Sequence, residues 1–128
     1  MIYRTQLSEA DAKYAVEHGE FPEHVRSATD SVAVVMTQGW CPQWFSMKVW
    51  LANMERKKRP KDYELTVFEL VYDMTDFFEE FLAHKEQYWG NIEIPYIRYY
   101  RDGKLVATSN YVPSRTFLTY AAEGAPKR

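Results

Sequence analysis

Residues 31–42 read Ser-Val-Ala-Val-Val-Met-Thr-Gln-Gly-Trp-Cys-Pro, and this stretch decides the fold. It opens with a short, β-branched and apolar run, which is typical of a strand covered on both faces. The pattern breaks at Gln38, and from Pro42 to Lys58 apolar residues recur at helical spacing. Proline suits the first turn of a helix, because its missing N–H would have no partner there. The stretch therefore predicts a buried strand that leads into a helix through a loop containing Cys41.

Further strands are indicated on the C-terminal side of this unit. Residues 64–72 and 94–101 are rich in β-branched and aromatic side chains. Asp102-Gly103 is a preferred two-residue hairpin turn, and residues 104–109 form the returning strand. Each of these runs predicts a further strand of the sheet to which the strand from Ser31 belongs.

Helical patterns separate the strands. Thr75 or Asp76 is placed to cap a helix, and residues 113–122 predict a terminal one. A helical crossover between strands demands parallel pairing, whereas a hairpin is antiparallel. The predicted fold class is therefore α/β, with a mixed central sheet of four to five strands and helices on both faces.

The chain of 128 residues has the size of one domain. Helix-friendly residues from Leu7 to His18 predict an N-terminal helical extension over residues 1–30. The core is expected at residues 31–122, and residues 123–128 are expected to be a tail.

Composition and charge narrow the partner classes. A formal net charge of −2 favours neither nucleic acid nor an anionic membrane as a partner. The polar N-terminus has no apolar signal core, and no apolar run reaches the roughly 20 residues of a membrane span. The single cysteine excludes an internal disulfide. We therefore expect a cytoplasmic protein, and the sequence leaves its oligomeric state open.

The order of these features resembles the thioredoxin-like family, as a single-cysteine variant with the loop Trp-Cys-Pro-Gln-Trp at residues 40–44. The resemblance implies a thioredoxin-like fold with Cys41 as the catalytic nucleophile. It also implies that the Ile94–Pro95 bond is cis and faces the sulfur. The substrate-binding residues predicted around Cys41 are Trp40, Pro42, Trp44, Ile94, Pro95 and Tyr111.

Three positions depart from the pattern of two-cysteine members. Trp44 stands where the resolving cysteine is found, Val35 where a buried acid assists it, and Tyr111 where a glycine keeps the substrate groove open. A mixed disulfide on Cys41 would then need a second thiol for release. The loop also differs from the Cys-Gly-Phe-Ser of single-cysteine glutaredoxins, some of which share an iron–sulfur cluster through glutathione. We therefore expect no cofactor.

Two functions follow from Cys41. A sulfur at a helix N-terminus meets unpaired N–H groups and the positive end of the dipole, and both favour the reactive thiolate. This predicts monothiol thiol–disulfide exchange with protein thiols or disulfides, assisted by a low-molecular-weight thiol or a partner cysteine. The alternative is a protein-binding module that keeps the fold without catalysis, with Trp44 and Tyr111 filling the groove. Activation is expected if the sulfur is exposed and not if it is buried.

Other candidate sites receive plainer interpretations. His18, His24 and His84 lack metal-ligand spacing with one another or with Cys41, so no metal site is expected. In the strand that starts near Tyr96, alternation places Arg98 and Arg101 on opposite faces. Arginine on both faces predicts a strand near an edge or only partly covered. The surrounding tyrosines are expected to wrap the core, with a partner surface as the alternative.

Overall fold

The computed structural model describes residues 1–57 and 64–123, and its centre is a five-stranded mixed sheet with strand order β1-β3-β2-β4-β5. β1 and β2 pair parallel with β3, whereas β4 pairs antiparallel with β2 and β5. The predicted mixed sheet is confirmed. Its strands are β1 (Ile2–Gln6), β2 (Ser31–Thr37), β3 (Leu65–Val71), β4 (Tyr96–Arg101) and β5 (Lys104–Ser109).

Helices cover both faces of this sheet, as predicted. The buried cluster on one face includes side chains of α3 and α5, and the cluster on the other face includes those of α1, α2 and α4. Each amphipathic helix therefore buries its apolar side against strand residues that alternate between the two clusters. The helices are α1 (Glu9–His18), α2 (Glu23–Arg26), α3 (Pro42–Arg56), α4 (Phe78–Ala83) and α5 (Ser114–Glu123).

The N-terminal segment corrects the expectation of a purely helical extension over residues 1–30. Residues 2–6 form β1, an edge strand parallel to β3, and Ile2 is fully buried in the core beneath α3. A buried isoleucine and a ladder of backbone hydrogen bonds stabilise this segment as part of the sheet. The helical part of the prediction is confirmed from Glu9 to His18.

β4 lies next to the edge strand β5, as expected of a strand near an edge, but Arg98 is buried instead of partly covered. The Arg98 guanidinium donates to the Tyr100 hydroxyl at 2.9 Å, the Tyr96 hydroxyl at 2.9 Å and Glu20 Oε2 at 2.7 Å. It also stacks on the Trp89 ring at 4.3 Å. Burial acts to lower the pKa of Arg98, but Tyr100 and Glu20 outweigh it and hold this pKa above its ordinary value. A fully bonded guanidinium can thus occupy a covered strand.

The aromatic side chains of β4 pack into the core, as expected. Tyr96 and Tyr100 belong to one buried cluster, and Ile97 and Tyr99 belong to the other. The predicted alternation along this strand is therefore confirmed. Burial raises the pKa of Tyr100 above its ordinary value, so its hydroxyl stays protonated and donates to Glu20.

The hairpin between β4 and β5 turns at Asp102 and Gly103, as predicted. Both residues have positive φ, 52° and 79°, which the mirror-image turns of tight hairpins require. The positive φ of Gly103 favours glycine, and a Cβ there would also lie 2.6 Å from the Ser27 hydroxyl oxygen, so the serine side chain would have to move. The turn therefore determines the pairing of β4 with β5, and it packs against the loop after α2.

The segment before α4 differs from the predicted capping. The Thr75 hydroxyl donates to the Tyr72 carbonyl at 2.7 Å and so closes a turn, and α4 begins only at Phe78 without a side-chain cap. A hydroxyl satisfied within a turn is not available to a helix terminus. A π-helical turn, His84–Tyr88, continues α4.

The ends of two predicted elements lie outside the described residues. The described part of the chain excludes Lys58, at the predicted end of α3, and residues 124–128 of the predicted tail. Within the described residues, α3 ends at Arg56 and α5 ends at Glu123. Within residues 1–57 and 64–123, no helix has the length and apolar character needed to cross a membrane.

Candidate functional site

Cys41 lies at one edge of the sheet, where the carboxyl ends of β1, β2, β3 and β5 meet the start of β4. Three loops converge on this edge, at residues 38–41, 92–95 and 110–113. Ligands of open α/β sheets bind outside the carboxyl ends of the strands. The edge around Cys41 is therefore the candidate functional site.

Cys41 is the N-cap residue of α3, and Pro42 occupies the first turn, as the sequence predicts. The Cys41 carbonyl accepts from the backbone N–H of Trp44 at 3.1 Å and of Phe45 at 3.3 Å. Its backbone is extended, and its side chain makes no capping hydrogen bond. The sulfur is therefore held at the positive end of the helix dipole without acting as a cap.

The Ile94–Pro95 peptide bond is cis and lies beside the sulfur. Cys41 Sγ is 3.9 Å from the Ile94 carbonyl oxygen, at the long limit of a weak S–H···O contact. Ile94 precedes β4, so its backbone lies outside the sheet ladder. The site thus combines one sulfur with one main-chain segment that makes no strand pairing.

Burial divides the predicted site residues into two groups. Cys41 and Trp44 are each 3% exposed, and both belong to the core cluster beneath α3. Pro95 is also buried, whereas Ile94 and Tyr111 are partly buried, with both packed against that cluster.

The exposed group surrounds the covered sulfur. Trp40 is 64% exposed, with its indole N–H donating to Gln38 Oε1 at 2.6 Å, and Pro42 is exposed beside it. Trp44 therefore packs in the core and not at the surface. Trp40, Pro42 and Ile94 are the predicted site residues that a partner reaches most directly.

The loop before Cys41 is anchored by a side chain that the sequence analysis did not single out. Asp73, which follows β3, accepts a hydrogen bond from the Gly39 N–H at 2.9 Å. Tyr72 N–H donates to the Thr37 carbonyl at 3.0 Å and joins the same two loops. A carboxylate bound to a backbone N–H fixes the path of the chain into α3.

Val35 is fully buried, and a carboxylate lies on the strand beside it. Val35 pairs with Glu69 in the β2–β3 register. Glu69 is bound by Arg4 through two contacts, at 2.6 and 3.1 Å, and this carboxylate raises the pKa of Arg4. Arg4 on β1 therefore occupies both carboxylate oxygens of Glu69, on the side of β3 away from Val35.

Two cavities open near the β1 edge, and Cys41 lines neither. One of about 300 Å³ includes Leu7, Met74 and Phe77, and one of about 260 Å³ includes Arg4 and Glu69. Within residues 1–57 and 64–123, no group of three or more His, Cys, Asp or Glu side chains is arranged to hold a metal ion.

No known family profile and no curated protein sequence matches this chain. Solved structures do match it in fold. Thioredoxin O1 of Arabidopsis thaliana in its oxidised state is 10% identical, with a TM-score of 0.61 over 95% of this chain and 96% of that one. Thioredoxin f of spinach chloroplast is 13% identical, with a TM-score of 0.58 over 96% and 92% of the two chains.

A variant thioredoxin of Halobacterium salinarum is 17% identical, with a TM-score of 0.55 over 98% of this chain and 94% of that one. Identities this low establish the fold alone, since one fold hosts many functions. The thioredoxin-like fold that the resemblance implies is confirmed.

Proposed function

We propose that this thioredoxin-fold protein carries out monothiol thiol–disulfide exchange through Cys41, with protein thiols or disulfides as partners. The observation that supports the proposal best is the placement of Cys41 Sγ at the start of α3, 3.9 Å from the Ile94 carbonyl oxygen. The Ile94 backbone lies outside the ladder and is available to pair with an extended partner segment. Trp40 and Pro42 flank that segment.

The exchange proceeds in two balanced steps. The Cys41 thiolate attacks one sulfur of a partner disulfide, forms a mixed disulfide and releases the other sulfur as a thiolate. Because Trp44 stands where a resolving thiol would be, a second thiol must attack the partner's sulfur and release Cys41. That thiol is either a partner cysteine or a low-molecular-weight thiol, and no electrons are gained or lost overall. We propose that the protein works in the reducing cytoplasm, where such thiols are abundant.

Burial of the sulfur sets the condition for this reaction. With Cys41 only 3% exposed, attack requires that the side chains packed over it move aside locally. Ile94 and Tyr111 are the partly buried site residues in contact with the same cluster. This local opening lets a small disulfide react slowly in the native state, and a bound protein partner promotes it.

A second candidate function, a non-catalytic binding module, is favoured by the same burial. Cys41 and Trp44 pack in the core, while Trp40 is 64% exposed at the candidate site. An exposed tryptophan is a common anchor of protein interfaces. In this alternative, Cys41 is a small buried apolar residue and Trp40 supplies the contact.

One kinetic experiment separates the two functions. The reduced protein is mixed with a chromogenic aromatic disulfide at pH 7 in increasing urea, and Cys41→Ser is the control that must not react. If the protein carries out exchange, Cys41 should react while the protein is folded. The reaction rate should then stay constant in low urea, although urea lowers the free energy of unfolding. The binding module predicts a reaction only through global unfolding, slower by a factor of about 10³ or more and rising with urea.

An exposed reference thiol calibrates this rate. Cys41→Ser/Ser46→Cys places a single cysteine on the solvent side of α3. A second assay follows insulin reduction, which should require both Cys41 and added glutathione. Insulin reduction without any added thiol would contradict the single-cysteine mechanism.

A further inference from the structure

Two asparagine side chains bind each other across the candidate site. Asn91 Nδ2 donates to Asn110 Oδ1 at 3.0 Å, and Asn110 Nδ2 donates to Asn91 Oδ1 at 3.0 Å. Asn91 lies in the loop before Pro95, and Asn110 follows β5 directly. The reciprocal amide pair therefore ties together two of the loops that surround Cys41.

The same pair holds the residues on both sides of Ile94. Asn110 Nδ2 also lies 3.2 Å from the Glu93 carbonyl oxygen and 3.0 Å from the Pro95 carbonyl oxygen. Asn91 Oδ1 accepts from the Glu93 N–H at 3.2 Å. Ile94, whose carbonyl faces the sulfur, is thus bracketed by hydrogen bonds to side-chain amides.

A buried lysine fixes the base of this loop. Lys85 is fully buried in the π-helical turn, and its ammonium group donates to the Asn91 carbonyl at 2.8 Å. The Asn91 N–H donates back to the Lys85 carbonyl at 3.1 Å. Burial lowers the pKa of Lys85, and the hydrogen bond to the Asn91 carbonyl supplies an acceptor for its buried ammonium group.

We propose that Asn91 and Asn110 are positioning residues for exchange at Cys41. They hold the Ile94 backbone against the sulfur and in the orientation that an extended partner segment needs. The inference rests on the proposed function, since it assigns these side chains a part in the same reaction. If the amide pair only joined the two loops, its loss would change the reaction rates with all reagents equally. A rate change that depends on the reagent therefore distinguishes the two roles.

The test compares two reagents on Asn110→Leu and Asn91→Leu. A small aromatic disulfide needs access to the sulfur alone, whereas a disulfide-bonded peptide also needs the Ile94 backbone. Asn110→Leu removes the side-chain contacts to the carbonyls of Glu93 and Pro95, on both sides of Ile94, so its rate with the peptide should fall about tenfold. Its rate with the small disulfide should stay equal or rise, because the loosened loop uncovers the sulfur.

Asn91→Leu leaves the Asn110 contacts to the Glu93 and Pro95 carbonyls, so its rate with the peptide should fall by only about threefold. It also serves as the informative variant if Asn110→Leu does not fold. Asn53→Leu, at an exposed asparagine of α3, is the matched control and should change neither rate.

The positioning role would be overturned if Asn110→Leu changed the rates with both reagents equally, or if the folded variant reacted at wild-type rates. In either case, reaction of the wild-type protein would leave the proposed function intact. A wild-type protein that reacts with neither reagent while folded refutes the proposed function instead. In that case amide hydrogen exchange at Glu93 and Ile94 decides the anchoring. Faster exchange in Asn110→Leu supports it, and unchanged exchange overturns it.

Discussion

Replacing Trp44 by cysteine should convert the single-thiol site into a two-thiol one. Trp44 lies three residues after Cys41 in the first turn of α3, and its backbone N–H binds the Cys41 carbonyl at 3.1 Å. Residues at this spacing have Cβ atoms about 5–6 Å apart on a helix, and a disulfide needs about 3.5–4.5 Å. A shift of about 1–2 Å in the first turn therefore closes the bond.

The energetic cost of Trp44→Cys follows from the burial of the indole. Trp44 is 3% exposed in the core cluster, and truncation of such a side chain to alanine costs about 3–5 kcal/mol. Cysteine retains a sulfur, so the reduced variant should lose about 3 kcal/mol in the free energy of unfolding. A disulfide that closes a four-residue loop restores about 2 kcal/mol. The oxidised variant should therefore lie about 1 kcal/mol below wild type, and a typical domain remains folded after either loss.

Mass spectrometry after titration with oxidised glutathione measures the outcome. Wild type should accumulate one glutathione adduct on Cys41, whereas Trp44→Cys should lose two hydrogens, form an intramolecular disulfide and retain no adduct. Trp44→Ala controls for the lost ring, and Cys41→Ser/Trp44→Cys controls for reaction of the introduced thiol alone. A folded Trp44→Cys protein that keeps its glutathione adduct would show that Cys41 and residue 44 do not have the assigned geometry.

Three further predictions concern buried charges. Arg98→Met should lower the free energy of unfolding in urea by about 3 kcal/mol, because Glu20 loses its ion pair, and a loss below about 1 kcal/mol would contradict the buried network. Burial, with Arg98 nearby, lowers the pKa of His84 from 6.5, so protonation of this imidazole opposes folding. Between pH 7 and pH 5, the free energy of unfolding should therefore fall more in wild type than in His84→Leu. Equal losses in the two proteins would contradict this. Burial likewise lowers the pKa of Lys85 from 10.5, so the unfolded chain binds more protons and wild type gains stability as pH rises. The thermal midpoint of Lys85→Met relative to wild type should therefore fall between pH 7 and pH 10, and a constant difference would refute a desolvated ammonium group.

Most of the sheet and its helices were predictable because their signals are local. The run at β2 is apolar at nearly every position, Asp102-Gly103 marks its own turn, and Pro42 marks the start of α3. Each of these residues determines backbone geometry within a few positions of itself. The predicted bounds of β2 and β5 agree with the structure for the same reason.

The errors arose where distant contacts override a local pattern. β1 is a short segment in which Ile2 alone is fully buried, so its pairing with β3 leaves little trace in sequence. Arg98 and Arg101 indicated a strand near an edge or only partly covered, yet Glu20 binds Arg98 from 78 positions away along the chain and completes its burial. The Thr75 hydroxyl bonds inside a turn, although its spacing equally suits a helix cap.

The candidate site was predictable in its placement and not in its burial. The resemblance to the thioredoxin-like family implied that the α3 start faces the loop before β4, and the 3.9 Å contact lies there. Whether the sulfur is covered depends on how Trp44 and the loops pack, which no local pattern encodes. The Asn91–Asn110 pair could not be predicted either, because nothing in the sequence indicates that two asparagines near turns bind each other.

The departures at the site act together on the sulfur. Val35 and Trp44 add apolar atoms to the core cluster that contains Cys41, and Tyr111 packs against the same cluster where an open groove would otherwise lie. In the proposed exchange, small reagents therefore reach Cys41 poorly, whereas a protein partner uses contacts with Trp40 and the Ile94 backbone to displace the side chains that cover the sulfur. Such a site should react faster with a bound protein disulfide than with a small one, the reverse of the order for an exposed surface cysteine. Selectivity for a partner is thus a consequence of the packing that makes the free thiol slow.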